Sequence, residues 1–205
     1  MKGIIFIPDI SGFTNFVSSI DIALGMTITR DLLNQIIEHN SLKMEISEIE
    51  GDAVLFYKMG KPIPLARVIS SFSSMYSAFE TSFRQWKIRY HINADLSLKL
   101  IVHYGNLLVY DIRGFKKLYG EAVIESHSLL KNGNGGSNYI LVTEAYMKAL
   151  KGQATIFQPL RNGHVSLPSQ FGSGAKRIAY YFLPEFPARV APINDLMLAP
   201  AKAVS

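Results

Sequence analysis

Leu65, Ile69, Phe72, Tyr76, Phe79, Phe83 and Trp86 recur at steps of three and four, and no other feature of the chain restricts its fold as strongly. The spacing predicts a long amphipathic helix whose Met and aromatic stripe must be covered by a broad apolar surface, so these residues are read as core. Short β-branched and aromatic runs can supply that surface as a sheet: Gly3–Pro8, Ala53–Tyr57, Leu96–His103, Tyr139–Val142 and Arg177–Leu183.

Between these runs the punctuation is regular. Asp9-Ile10-Ser11-Gly12 opens a helix carrying Phe13, Phe16 and Val17, with Asp9 or Ser11 available as its cap. A second helix is expected from Gly25 to His39 on the stripe Ile28, Leu32, Leu33, Ile36, Ile37. Leu42–Ile49 and Ala53–Tyr57 form a hairpin turned at Gly51-Asp52, and Leu96–His103 with Asn106–Ile112 a second one turned at Tyr104-Gly105. Gly120–Lys131 reads as a helix closed by Asn132-Gly133, the run Asn132–Ser137 as a loop, and Glu144–Leu150 as a short helix. The order is an α+β pattern related to the ferredoxin-like split βαβ, with a mostly antiparallel sheet flanked by helices. One domain is expected over residues 1–184, followed by a Pro- and Ala-rich tail over 185–205.

Composition narrows the function classes. With no cysteine among 205 residues, a disulfide scaffold, a thiolate metal site and a Cys nucleophile are excluded. No run of about 18 apolar residues occurs, and the apolar stretch before Pro8 is too short for a signal peptide, so no membrane association and a cytoplasmic location are expected. The net charge of +5 comes from scattered Lys and Arg whose densest clusters are the pairs Lys116-Lys117 and Lys176-Arg177. That reads as a solvated basic surface and not as a nucleic-acid footprint. His103, in a strand beside a turn, reads as structural, and His39, His91 and His164 have no spacing suited to zinc.

Two carboxylates carry the chemistry. Asp9 ends a strand before a helix start, and Asp52 sits in a tight hairpin. As neighbours beside a helix N-terminus they could hold Mg²⁺ while the N–H groups of Ser11, Gly12, Phe13 and Thr14 accept phosphate oxygens. Gly12 would suit a backbone that approaches a phosphate closely. A helix cap at Asp9 and a turn former at Asp52 satisfy the same spacing.

Phe6-Ile7-Pro8-Asp9-Ile10-Ser11-Gly12-Phe13-Thr14 resembles the first metal-binding motif of class III adenylate and guanylate cyclases, and Glu48-Ile49-Glu50-Gly51-Asp52-Ala53 resembles their second. Leu100–Gly105 is similar to the family's hairpin ending in His-x-Gly, and Leu118–Val123 to the aromatic-Gly-x-x-Val segment that opens its catalytic helix. The four segments stand in family order and suggest a divergent bacterial branch. The resemblance implies the cyclase fold and a homodimer with purine nucleotide sites at the subunit interface. It also implies two Mg²⁺ or Mn²⁺ ions on Asp9 and Asp52, which would activate a ribose hydroxyl against the α-phosphate.

The departures from that pattern bear on activity. Glu48 stands three residues before Gly51, where guanylate cyclases carry Glu to read guanine, whereas Lys117, three before Gly120, fits neither purine pattern. Ile124 and Ser128 occupy the positions of the family's transition-state Asn and Arg. Ile has no donor and Ser lacks the charged fork, and each such loss commonly costs about 10² to 10³ in rate. His127 and Lys131 on the same helix are candidates to substitute, and Lys176 is a candidate phosphate-binding residue. Three readings stand: a nucleotide-binding domain with weak or lost cyclase activity, an active cyclase or other phosphoryl-transfer enzyme with rearranged donors, and a non-catalytic interaction module.

Overall fold

In the computed structural model, residues 1–131, 138–150, 161–167 and 176–184 are described, the last two segments by their backbone. The loop expected at Asn132–Ser137 and the tail expected from residue 185 lie outside them. The described elements are β1 (Lys2–Ser11), α1 (Phe13–Ser19), α2 (Ile22–Glu38), β2 (Glu45–Glu50), β3 (Ala53–Met59), α3 (Leu65–Tyr90), β4 (Ser97–Asn106), β5 (Leu108–Ile112), β6 (Phe115–Tyr119), α4 (Glu121–Lys131), β7 (Tyr139–Thr143), α5 (Glu144–Ala149), β8 (Arg161–Leu167) and β9 (Lys176–Pro184).

A seven-stranded sheet runs in the order β2-β3-β1-β4-β7-β9-β8, antiparallel everywhere except between β4 and β7. Its first four strands have the order of a split βαβ fold, in which the helices after β1 and β3 cross the same face. That face holds the larger core. Ile4, Phe6, Val54, Phe56, Leu100 and Val102 from the strands meet Phe16, Ile28, Leu32, Phe72, Met75 and Phe79 from the helices. Phe72, Met75 and Phe79, at steps of three and four along α3, are 0–1% exposed, so the stripe lies against the sheet over most of its length. The opposite face is narrower, with Ile5, Ile7, Leu55, Ile101 and Leu141 covered by Ala122 and Leu129 of α4.

Several boundaries move from their sequence positions for physical reasons. β1 does not stop at Pro8 but continues to Ser11, pairing without a break to β4 from Lys2↔Asn106 to Ser11↔Ser97. Proline's missing N–H costs it only on the β3 side, where pairing lapses after Phe6↔Phe56 and resumes at Asp9↔Ala53. Helix α2 begins at Ile22, ahead of Gly25, because Asp21 caps it, accepting from the N–H groups of Ala23 and Leu24 at 3.0 Å each. The second hairpin is not turned at Tyr104-Gly105: β4 runs through both, and β5 pairs instead with β6 around Arg113-Gly114. Gly105 is small for a different reason, since a Cβ there would stand 3.0 Å from that of Ala122 on α4. Gly120 likewise faces backbone, with a Cβ 2.7 Å from the Asn106 carbonyl oxygen at φ +141°.

Candidate functional site

The register of β1 places its last residues where the sheet meets α1. Asp9 pairs with Ala53 on one side and Lys99 on the other, and the Ile10 N–H donates to the Asp52 carbonyl at 3.2 Å. The hairpin tip at Gly51-Asp52 is thereby tied to the end of β1. Asp9, Asp52, Lys99 and the segment Ile10–Asn15 line one open cavity of about 470 Å³.

Neither Asp9 nor Ser11 caps α1. Its N-cap is Gly12 at φ +86°, with no side-chain cap, so the opening N–H groups of Phe13, Thr14 and Asn15 have no partner within the helix. The left-handed conformation and a carbonyl at Asp95 that a Cβ would strike account for glycine at position 12 without any ligand. Ser11, Gly12, Phe13 and Thr14 thus all border the cavity, by backbone geometry and not by a capping role.

The electrostatics are asymmetric. Lys99 Nζ lies 2.7 Å from Asp9 Oδ2, with side chains only 18% and 11% exposed, and the pairing raises the Lys99 pKa against the effect of its own burial. Asp52 has no such partner: burial first, and the negative charge of Asp9 second, push its carboxyl up to about 6. Its folded-state pKa lies above its unfolded one, so Asp52 weakens the fold progressively as pH rises from about 4 to about 6, and the penalty is full above that. In EDTA, Asp52→Asn is expected to raise Tm at pH 7.5 by the equivalent of about 1 kcal/mol, after a discount for its partial exposure, and to leave Tm nearly unchanged at pH 4. Equal melting curves at both pH values would show that Asp52 ionises without penalty.

A second cluster lies around β2. Glu48 accepts from Lys117 Nζ at 2.7 Å and stands 3.4 Å from His127 Nε2. The Glu48 contact raises the Lys117 pKa, and Lys116 pairs with Glu45 at 3.0 Å, so two salt bridges tie β6 to β2. Lys131, one turn beyond His127 on α4, is exposed. Lys176 begins β9 opposite Leu167. The far end of that strand, Pro184, is level with Tyr139 and hence with Lys99 and Asp9, which places Lys176 eight residues, about 26 Å, along the strand from that row. One chain therefore assembles Asp9, Asp52 and the α1 start in one place, Glu48, Lys117 and His127 in another, and leaves Lys176 apart from the first.

Lys99 is the site residue that sequence reasoning missed. Its signal was a single charge inside the apolar run Leu98–Val102, which acquires meaning only from its register against Asp9.

The donor set fits a divalent ion of the Mg²⁺ class, which takes one or two carboxylates and completes its shell with water and phosphate. Asp52 supplies a carboxylate whose charge nothing in the cavity pairs as closely as Lys99 pairs Asp9. Among the described residues there is no group of three or more His, Cys, Asp or Glu that could hold a metal by itself.

The fold is that of the class III nucleotidyl cyclase catalytic domains. The guanylyl cyclase Cya2 is similar at TM-score 0.68 and 13% identity, over 89% of this chain and 91% of that one. The adenylyl cyclase CyaB from P. aeruginosa is similar at 0.62 and 16%, over 88% and 93%. The guanylate cyclase domain of RhGC from Catenaria anguillulae, solved in complex with GTP, is similar at 0.56 and 15%, over 88% and 95%. No curated protein matches the sequence. The family model described as "Protein of unknown function (DUF2652)" matches residues 29–139, more than half the chain, and the chain belongs to that family. Among the described residues no helix is long and apolar enough to cross a membrane.

Proposed function

We propose that the chain binds a purine nucleoside triphosphate together with Mg²⁺ or Mn²⁺ and cyclises it weakly or not at all. Asp9 and Asp52 would hold the cation, and the backbone at Ser11, Gly12, Phe13 and Thr14 would receive phosphate oxygens. One observation carries the reading: a carboxylate at the end of β1 and one at the tip of the β2–β3 hairpin line one cavity with a helix start that no side chain caps. The bound cation would supply charge neutralisation on the phosphates, and the rest of the work falls to the chain's own groups.

A homodimer supports this reading better than a monomer, because the candidate groups are divided. Glu48 and Lys117, at the purine-reading positions of the resembling family, pair with each other away from the Asp9 cavity, and Lys176 lies far along β9. A second copy would bring such groups to the cavity of the first. Glu48 accepts hydrogen bonds and favours the guanine edge, while Lys117 neutralises it. Weak turnover follows from Ile124 and Ser128, which offer no planar cationic fork to a phosphate.

The test is a thermal-shift titration with Mn²⁺ plus ATP or GTP on the wild type and on Asp52→Asn. A ligand at 100 times its Kd adds about 2.7 kcal/mol of stability. Stabilisation of the wild type alone is expected, larger with GTP. Absence of any shift with either nucleotide would turn the reading toward an interaction module.

A further inference from the structure

We infer that the Asp9–Asp52 cavity takes a single divalent cation, because the ammonium of Lys99 occupies the place at Asp9 that a second ion would need. This rests on the metal–nucleotide reading of the same cavity and departs from the two-ion arrangement that the family resemblance implies.

The contact is built into the sheet. Asp9 and Lys99 are directly paired residues of β1 and β4, so their side chains leave the same face about 5 Å apart. The 2.7 Å separation is that of a charge-assisted hydrogen bond, and the two side chains are 18% and 11% exposed. An exposed lysine would leave a carboxylate at little cost. Here the stem of Lys99 is confined, and its head, displaced by a metal, would stay charged in a partly dry position with its partner gone.

The donor count makes Asp9 indispensable to a second ion. No third carboxylate or imidazole joins Asp9 and Asp52, since among the described residues no trio of His, Cys, Asp or Glu could hold a metal. Two ions would have to share two carboxylates, one of which already gives an oxygen to Lys99. With Lys99 in place the cavity's charged side chains sum to −1 and not −2, and one divalent ion is enough to make the cavity attractive to a polyphosphate. Asp52 and the remaining oxygen of Asp9 are the donors left for that ion.

The experiment is electron paramagnetic resonance of Mn²⁺ bound to the full chain with a non-hydrolysable GTP analogue. An isolated Mn²⁺ gives a six-line spectrum, whereas two ions about 3.5–4 Å apart give a spin-coupled one. The wild type and Lys99→Arg are expected to bind one uncoupled Mn²⁺ per chain, and Lys99→Met to bind a coupled pair. A coupled pair in the wild type, or a single ion in a folded Lys99→Met, would overturn the inference and leave the nucleotide reading intact. No bound Mn²⁺ in the wild type would overturn both. Circular dichroism reports whether Lys99→Met folds; if it does not, the wild-type spectrum decides alone.

Discussion

Glu125→Ala is expected to cost the fold about 3 kcal/mol, a large loss for a single polar side chain. Glu125 lies on the inward face of α4, with Oε2 3.1 Å from Nε2 of His103 on β4, and the two side chains are 9% and 2% exposed. The other ring nitrogen of His103, Nδ1, is 3.0 Å from Oγ1 of Thr143, which is fully buried and itself accepts from the Tyr146 N–H at the start of α5. Removing the carboxylate leaves Nε2 facing a void where neither water nor protein replaces the acceptor. It also removes one of the contacts that hold α4 against β4, beside those of Ala122 and Leu129.

The control is Glu125→Gln, whose amide oxygen can still accept from Nε2–H at nearly the same volume. It is expected to cost less than half as much. Urea denaturation of the three proteins checks the order, with the midpoint falling and the m-value unchanged. A domain of this size holds about 5–15 kcal/mol in reserve, so the alanine variant should still fold at 25 °C. If alanine and glutamine cost the same, the loss is one of shape and the hydrogen bond contributes nothing measurable.

His103 illustrates how much of this molecule is legible from its sequence. A structural role follows from its place in an apolar strand, but its partner does not, because Glu125 is set against it by the packing of a helix 22 residues on. Local periodicity carried the long helix and the hairpin at Gly51-Asp52, where spacing alone decides. It failed where one residue type serves two purposes. Gly105 reads as a turn but is a contact with α4, while the turn lies at Arg113-Gly114, at φ +52° and +87°. Pro8 reads as a strand end but interrupts only one of two ladders. Asp9 and Asp52 were visible as chemistry-bearing residues, yet their meeting in one cavity depends on strand order, and the lysine between Leu98 and Leu100 gains its role from register alone. Non-local pairing is the information that a linear pattern does not hold.

The second large effect is a gain. Ile124→Asn with Ser128→Arg is expected to raise cyclic nucleotide formation by at least about 10², because each preorganised donor aimed at a developing phosphate charge is worth about 10² to 10³. The positions suit the change. They are one turn apart on α4, and Ile124 is 64% exposed. The Ser128 hydroxyl donates to the Ile124 carbonyl at 2.9 Å and so points along its own helix. Arginine is a good helix former, and neither site is in the core, so stability should move by no more than about 0.5 kcal/mol. His127, the candidate substitute donor, is turned about 100° from Ser128 around the helix and lies against Glu48. In the resembling family the two donors serve one transition state, so the double variant should exceed the product of the single ones. Separate assays with ATP and GTP, following cyclic nucleotide and pyrophosphate together, check this outcome. Pyrophosphate without cyclic product would show that the cavity hydrolyses what it binds. No product of either kind from a folded double variant would mean that the carboxylates of Asp9 and Asp52 do not hold a triphosphate in a reactive pose, and that missing donors are not what limits the wild type.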